Sequence, residues 1–217
     1  MNWVGIGAVL LGVAVFLLVV WLNGHLVSSK WVFLRWCIAV LLALPAFSYA
    51  FYYSRLMGEP LWLYRLRALP GSELLASFAG VLAGLVQTQL VPRLHLSPIG
   101  RKALVPVLLV LGLLLPYLKP VLRPLRSDSL RDVWAEGVCH QSTPATCGPS
   151  SVATILWQLG YQVTERELAH EAFSSASGTE NWYLARAIRR RGLEVGFVSS
   201  PTLNAPLPAV AGVRLPS

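Results

Sequence analysis

The stretch "QSTPATCGPSS", residues 141–151, brings together a thiol, a side-chain amide and a helix start. Cys147 is followed by Gly148 and Pro149, and an apolar periodic stretch opens directly behind them. A thiol attacks a carbonyl as the thiolate, and the unpaired N–H groups and dipole of a helix N-terminus favour that anion. Pro149 suits the first helical turn, where an N–H would be unpaired anyway. The same N–H groups can hold an oxyanion formed beside the sulfur, and the Gln141 side chain, six residues upstream, can supply a second donor. The spacing therefore nominates Cys147 as nucleophile and Gln141 as oxyanion-hole residue of an acyl-transfer site. The competing reading of Cys147 is a small buried hydrophobe in a loop.

A cysteine nucleophile also needs a base, usually His, oriented by Asp or Asn. The four histidines are His25, His95, His140 and His170. The first two belong to loops between apolar stretches, His140 adjoins Gln141, and His170 lies on a helix-like segment. No Asp follows Asp132. Cys139, His140 and Cys147 also suggest zinc, but a structural zinc site takes four ligands, and only three candidates occur here without a second cluster. Neither a metal nor a cofactor is expected. Cys139 and Cys147 can pair in an oxidising compartment, while Cys37 lies in an apolar run.

Three helices must position these residues. Residues 148–159 are helix-like and stop at Gly160. Thr164 and Glu167 form a capping box ahead of a helix over 165–172. A third helix covers 181–191 and closes at Gly192, its Arg189–Arg191 run reading as a solvated last turn. Residues 193–198 alternate as a strand, and 207–213 read as a second strand.

This ordered set resembles the N-terminal half of the peptidase C39 domain, the bacteriocin-processing family of papain-like cysteine peptidases whose members cleave leader peptides after a double glycine. The matching residues are Gln141, Cys147, Gly148, Pro149, Glu167, Leu168, Ala169, Gly178, Thr179, Gly192 and Leu193. The resemblance covers roughly residues 134–215 and implies Cys147 as nucleophile, Gln141 in the oxyanion hole, and a peptide or protein substrate. In the family the His follows the second conserved strand, with an Asp further on. None of the four histidines occupies that position. The resemblance thus implies either that the natural protein continues past Ser217 with the rest of the triad, or that the domain is an inactive membrane-anchored peptide- or protein-binding module.

The rest of the chain belongs to the lipid bilayer. Only 13% of residues are charged, against roughly 25% in soluble domains, and mean hydropathy is +0.57. Four stretches lack charge: residues 3–22, the segment from Arg35 to Arg55, that from Glu73 to Arg93, and 103–118, which contains Pro106 and Pro116. Each approaches the roughly 20 residues a spanning helix needs. A cleaved signal peptide is disfavoured because "MNWVG" has no Lys or Arg. The formal net charge of +8 divides as +6 over residues 1–118 (eight Lys/Arg, two Glu) and +2 over 119–217 (ten Lys/Arg, eight Asp/Glu). The excess belongs to membrane-flanking loops, so nucleic acid is not an expected partner.

With four spans, Arg55, Arg65, Arg67, Lys119, Arg123, Arg126 and Arg131 share the side of both termini, against Lys30, Arg35, Arg93, Arg101 and Lys102 opposite. That count favours cytoplasmic termini in a bacterial plasma membrane. "EPLWLYRLRALPG" reads as a short interfacial helix. Gln87 and Gln89 are expected to hydrogen-bond between spans. No P-loop occurs, so any transporter partner would be a separate polypeptide. The expected architecture is an all-α membrane region of about four transmembrane helices (residues 1–118), a linker (119–130), and a small α+β papain-like, C39-like domain (131–217) that is incomplete.

Overall fold

The computed structural model describes residues 2–25, 31–54, 60–199 and 206–212, with backbone alone for 49–54. Lys30, Arg55 and residues 213–217, used in the sequence reading, lie outside the described residues. The elements run α1 (Trp3–His25), α2 (Val32–Ser54), α3 (Leu61–Arg67), a composite helix centred on α4 (Ala79–Leu85), and α5 (Pro98–Leu122). Strands β1 (Val133–Ala135) and β2 (Val138–His140) follow, then α6 (Cys147–Gln158), α7 (Glu165–Glu171) and α8 (Asn181–Arg189). Two compact units result: Met1–Glu59 with Gly71–Leu118, and Pro60–Pro70 with Lys119–Ser217.

In the first unit, three helices among the described residues are long and apolar enough to cross a membrane: Trp3–His25, Ser72–Arg93 and Pro98–Leu122. The expected second span coincides with α2, apolar over the described side chains of Val32–Ser48. The expected fourth span is longer than its uncharged run, because α5 continues through Pro106 and Pro116 and takes in Lys102 and Lys119. Each proline forfeits one helical hydrogen bond, a loss that membrane helices tolerate when neighbours and local adjustments satisfy the freed carbonyl.

Close packing joins α1 to the composite helix. Gly80 and Gly84 lie four residues apart, and a Cβ at Gly80 would stand 2.3 Å from the Gly12 carbonyl oxygen. One at Gly84 would stand 2.7 Å from Val19 Cβ. Small residues at this spacing let helix backbones meet where lipid offers no hydrophobic drive to association. Val9, Phe16, Ala76, Val91, Val105, Leu109 and Leu113 fill the core around this contact. Gln89 accepts a hydrogen bond from Trp36 Nε1 at 2.7 Å, and Gln87 Nε2 donates to the Arg101 carbonyl at 2.7 Å. Residues Val86–Leu90 form a π-turn, where the Thr88 hydroxyl bonds back to the Gly84 carbonyl.

The second unit is built around Cys139, Val152, Ala153, Leu156, Val163, Leu168, Ala172, Leu184 and Ala187. Its sheet is one antiparallel hairpin, with Trp134 opposite Cys139, closed by Glu136 and Gly137, both at positive φ. The twist of such a two-residue turn matches that of its strands. The strands expected at 193–198 and 207–213 do not form among the described residues. The first loses its ladder acceptors to side chains: Arg189 Nη2 donates to the Val195 carbonyl at 2.8 Å, and Phe197 packs on Tyr64 with ring centroids 5.6 Å apart.

Helix α3 forms where an interfacial helix is expected, and it belongs to the second unit. Its C-terminal carbonyls need donors. Arg186 supplies Nε at 3.0 Å and Nη2 at 2.6 Å to the Arg67 carbonyl, and Arg189 Nη1 reaches the Ala68 carbonyl at 3.0 Å. Arg67 stacks over Trp182 at 4.7 Å. The expected solvated arginine turn is thus corrected: Arg189 and Arg191 are bonded and Arg190 is exposed. Arg191 forks onto Glu171 at 2.7 and 3.1 Å, because a guanidinium's planar array of donors suits paired acceptors. The segment read as a linker is held to the same unit. Lys119 pairs with Glu180 at 2.7 Å, and the Arg123 carbonyl accepts from the Ala176 N–H at 2.9 Å.

The glycine contact yields a controlled comparison. Gly80→Leu should destabilise the membrane unit by about 1–3 kcal/mol and lower its Tm in detergent. Gly112→Leu, at a position with nothing within 4 Å of an added Cβ, should leave Tm nearly unchanged. Equal losses in thermal melts of the two variants would refute the close α1–α4 packing.

Candidate functional site

The site is built from the end of β2, the six residues 141–146 and the start of α6. The hairpin alternates, so Cys139 points into the core while Val138 and His140 are exposed. The Cys139 N–H donates to Thr154 Oγ1 at 2.9 Å, and Thr154 in turn donates to the Ser150 carbonyl at 3.0 Å. Strand β2 is therefore tied directly to α6. Gln141 leaves the strand exposed, and its side chain has no hydrogen bond among the described residues.

Ser142 turns inward. Its N–H donates to Glu165 Oε1 at 2.8 Å, its hydroxyl donates to Glu165 Oε2, and its Oγ accepts from the Arg131 N–H at 2.8 Å. Next comes a closed turn in which the Thr143 N–H reaches Thr146 Oγ1 at 3.1 Å. The Thr146 hydroxyl and N–H return to the Thr143 carbonyl at 2.9 and 3.1 Å. Thr146 is fully buried.

Cys147 is the first residue of α6, exposed and not in a disulfide. The N–H groups of Cys147 and Gly148 have no partner among the described residues, and Pro149 has no N–H to offer. Two backbone donors thus stand unpaired beside an exposed sulfur, the arrangement an oxyanion hole requires. Gly148 packs closely: a Cβ there would meet Leu184 Cδ1 at 2.8 Å, so Leu184 would have to shift to accept any larger residue. Pro149 is buried beneath the first turn.

Cys139, eight residues earlier, meets the opposite environment. It is 4% exposed, and its thiol is pushed up from 9.0 to about 11, first by burial and then by the Glu165 and Asp132 carboxylates. The pairing of Cys139 with Cys147 considered from the sequence is not formed. His140 lies at the exposed end of β2 and His170 on the exposed side of α7, and neither hydrogen-bonds Cys147.

The sequence reading missed the hairpin and Glu165. "VWAEGVCH" carried the hairpin signal, since alternating residues flank a turn ending in Gly137. Glu165 was legible too, because it shares the i, i+3, i+4, i+7 face of Leu168, Ala169 and Ala172, all buried.

No family model matches the chain, and no solved structure matches it. An uncharacterised protein of Methanothermobacter thermautotrophicus is 42% identical over 67 residues, covering 31% of this chain and 45% of that protein. An uncharacterised protein of Methanothermobacter marburgensis is 38% identical over 58 residues, covering 27% of this chain and 41% of that protein. The chain spans less than half the length of these curated relatives.

The two thiols should separate by reactivity. At pH 8, iodoacetamide should alkylate Cys147 about tenfold or more faster than Cys139 in the folded protein, and both at similar rates in denaturant, as read by peptide mass mapping. The unfolded chain loses the Cys139 proton near its ordinary value while the folded chain keeps it to about 11, so this thiol's contribution to stability is lost as pH rises from 9 to 11. Cys139→Ala should flatten that alkaline decline. An unchanged decline would show that Cys139 is not its source.

Proposed function

We propose that this chain is a membrane-anchored, C39-like cysteine peptidase unit that forms a thioester with a peptide or protein substrate at Cys147. The observation that carries the reading is the exposed Cys147 sulfur at the start of α6, beside the partnerless N–H groups of Cys147 and Gly148. The thiolate adds to the scissile carbonyl carbon, and the π pair moves to oxygen. That oxyanion accepts hydrogen bonds from the Cys147 and Gly148 N–H groups and from Gln141 Nε2. Collapse breaks the C–N bond, the amine leaves with a proton from a general acid, and water then hydrolyses the thioester. Neither His140 nor His170 hydrogen-bonds Cys147 among the described residues, so cleavage by this route requires a general acid and base from elsewhere. The same fact favours a second reading, a peptide- or protein-binding module that holds its target without cleaving it.

The proposed site lies on the cytoplasmic side. Seven basic residues against five support this orientation. Helix α3, whose Arg65 and Arg67 enter that count, lies between α2 and the composite helix and shares a unit with residues 119–217. The two helices separating them, Ser72–Arg93 and Pro98–Leu122, make an even number of crossings.

Acylation can be tested without the missing base. With a peptidyl p-nitrophenyl ester, the protein should release one equivalent of nitrophenolate and gain one acyl mass at Cys147. Cys147→Ala should remove both signals, and Gln141→Ala should slow the burst about tenfold or more. Acylation spread over several nucleophiles, or unaltered in Gln141→Ala, would count against the acyl-transfer reading. Peptide capture that survives in Cys147→Ala, with no burst in the parent protein, would establish the binding module instead.

A further inference from the structure

We propose that Glu165 is a positioning residue: it fixes Ser142 from beneath and thereby aims Gln141 at the oxyanion formed on Cys147. This rests on the acyl-transfer reading of the site. Glu165 is fully buried, and both of its oxygens go to Ser142, one to the N–H at 2.8 Å and one to the hydroxyl. It stands at the first position of α7, where a carboxylate ordinarily caps its own helix. Here that task falls instead to Thr164, whose hydroxyl accepts from the Glu167 N–H at 3.1 Å. A buried carboxylate is expensive unless each oxygen finds a donor. Ser142 meets that need with its two donors and in doing so loses its freedom.

The surrounding bonds show what the arrangement fixes. Ser142 Oγ accepts from the Arg131 N–H at 2.8 Å, and Asp132 Oδ1 accepts from the Arg166 N–H at 3.1 Å. The chain entering the hairpin and the chain leaving it are therefore both tied to the start of α7. From Ser142 onward, the Thr143–Thr146 turn leads without slack to Cys147. Gln141 is the one exposed residue between β2 and Ser142, so its backbone is set on both sides while its amide stays free. Errors of about 1 Å in a reacting geometry cost about a hundredfold in rate, so a donor carried on an untethered loop would contribute little.

The experiment uses the full chain in detergent and compares two probes of Cys147. A tripeptide aldehyde forms a hemithioacetal: sulfur bonds to the aldehyde carbon, the π pair moves to oxygen, and that oxygen needs the donors before it takes a proton from solvent. Iodoacetamide alkylates sulfur by displacing iodide and creates no oxyanion. Glu165→Gln and, separately, Ser142→Ala should raise the aldehyde Kd about tenfold, read as protection of Cys147 from alkylation, while the iodoacetamide rate constant stays within about twofold. Gln141→Ala should raise the Kd to a similar extent, and the double variant Gln141→Ala/Glu165→Gln should lose no more than Gln141→Ala alone.

If the parent protein binds the aldehyde and both Glu165→Gln and Ser142→Ala bind it as tightly, the positioning role is wrong. It is equally wrong if the losses in the double variant multiply, or if the aldehyde and iodoacetamide effects fall together, since a merely structural role moves both. If the parent protein forms no hemithioacetal at Cys147, the acyl-transfer reading itself fails. Should Glu165→Gln not fold, Ser142→Ala alone decides the question.

Discussion

The second unit depends on the supply of hydrogen-bond donors to the C-terminus of α3. A seven-residue helix leaves most of its carbonyls without partners inside the helix. Arg186 and Arg189 of α8 meet that need at Arg67 and Ala68. The consequence runs through the fold. Once α8 is held on one side by α3, its Leu184 packs on Gly148 at the start of α6. Cys147 opens that helix, at the end with unpaired N–H groups. A segment lying between two membrane-region helices thus helps to place a side chain some eighty positions later.

Around Cys147 the polar groups are arranged so that ordering is complete before any substrate arrives. Thr143 and Thr146 satisfy each other, Ser142 is held by a buried carboxylate, and Thr154 links strand to helix. What remains unsatisfied is confined to the surface: two N–H groups, one amide and one thiol. Donors that are fixed and unpaired in the ground state stabilise developing charge without reorganising when it appears. A loop that had to order on binding would lose part of that advantage to entropy.

How much of this was legible depended on whether the governing interaction was local. Helices α6, α7 and α8 were readable because capping, glycine stops and apolar periodicity act within a few residues. The Thr164–Glu167 capping box forms as the spacing required. The strand expected at 193–198 was not readable in this way. Alternation shows that a segment can join a sheet, but it names no partner, and here the Val195 carbonyl went to Arg189. The arginine run failed similarly, because charge alone looks like solvation until the orphan carbonyls of a helix more than a hundred residues earlier are known. In the membrane unit, proline marked an interruption by a rule drawn from helices in water, whereas α5 continues through Pro106 and Pro116. The helix start at Cys147 was legible as a pattern, and the support of the preceding turn by Glu165 was not, although the apolar face of α7 contained the clue.

Cys139 and Cys147 show what the fold adds to a residue type. They are eight residues apart in one short segment, and composition gives no reason to treat them differently. One lies on the inward face of a two-stranded hairpin, among apolar side chains and two carboxylates that penalise an anion, and its thiol holds its proton to about 11. The other follows a buried threonine and opens a helix at the surface. Burial and nearby negative charge act together on the first, while the second is exposed. The turn between them, closed on itself at Thr143–Thr146 and fastened to Glu165, is what keeps these environments apart. The contrast between the two thiols is therefore set by the turn more than by the sulfur, and a side chain one position further on, at Gly148, would meet Leu184 Cδ1 at 2.8 Å.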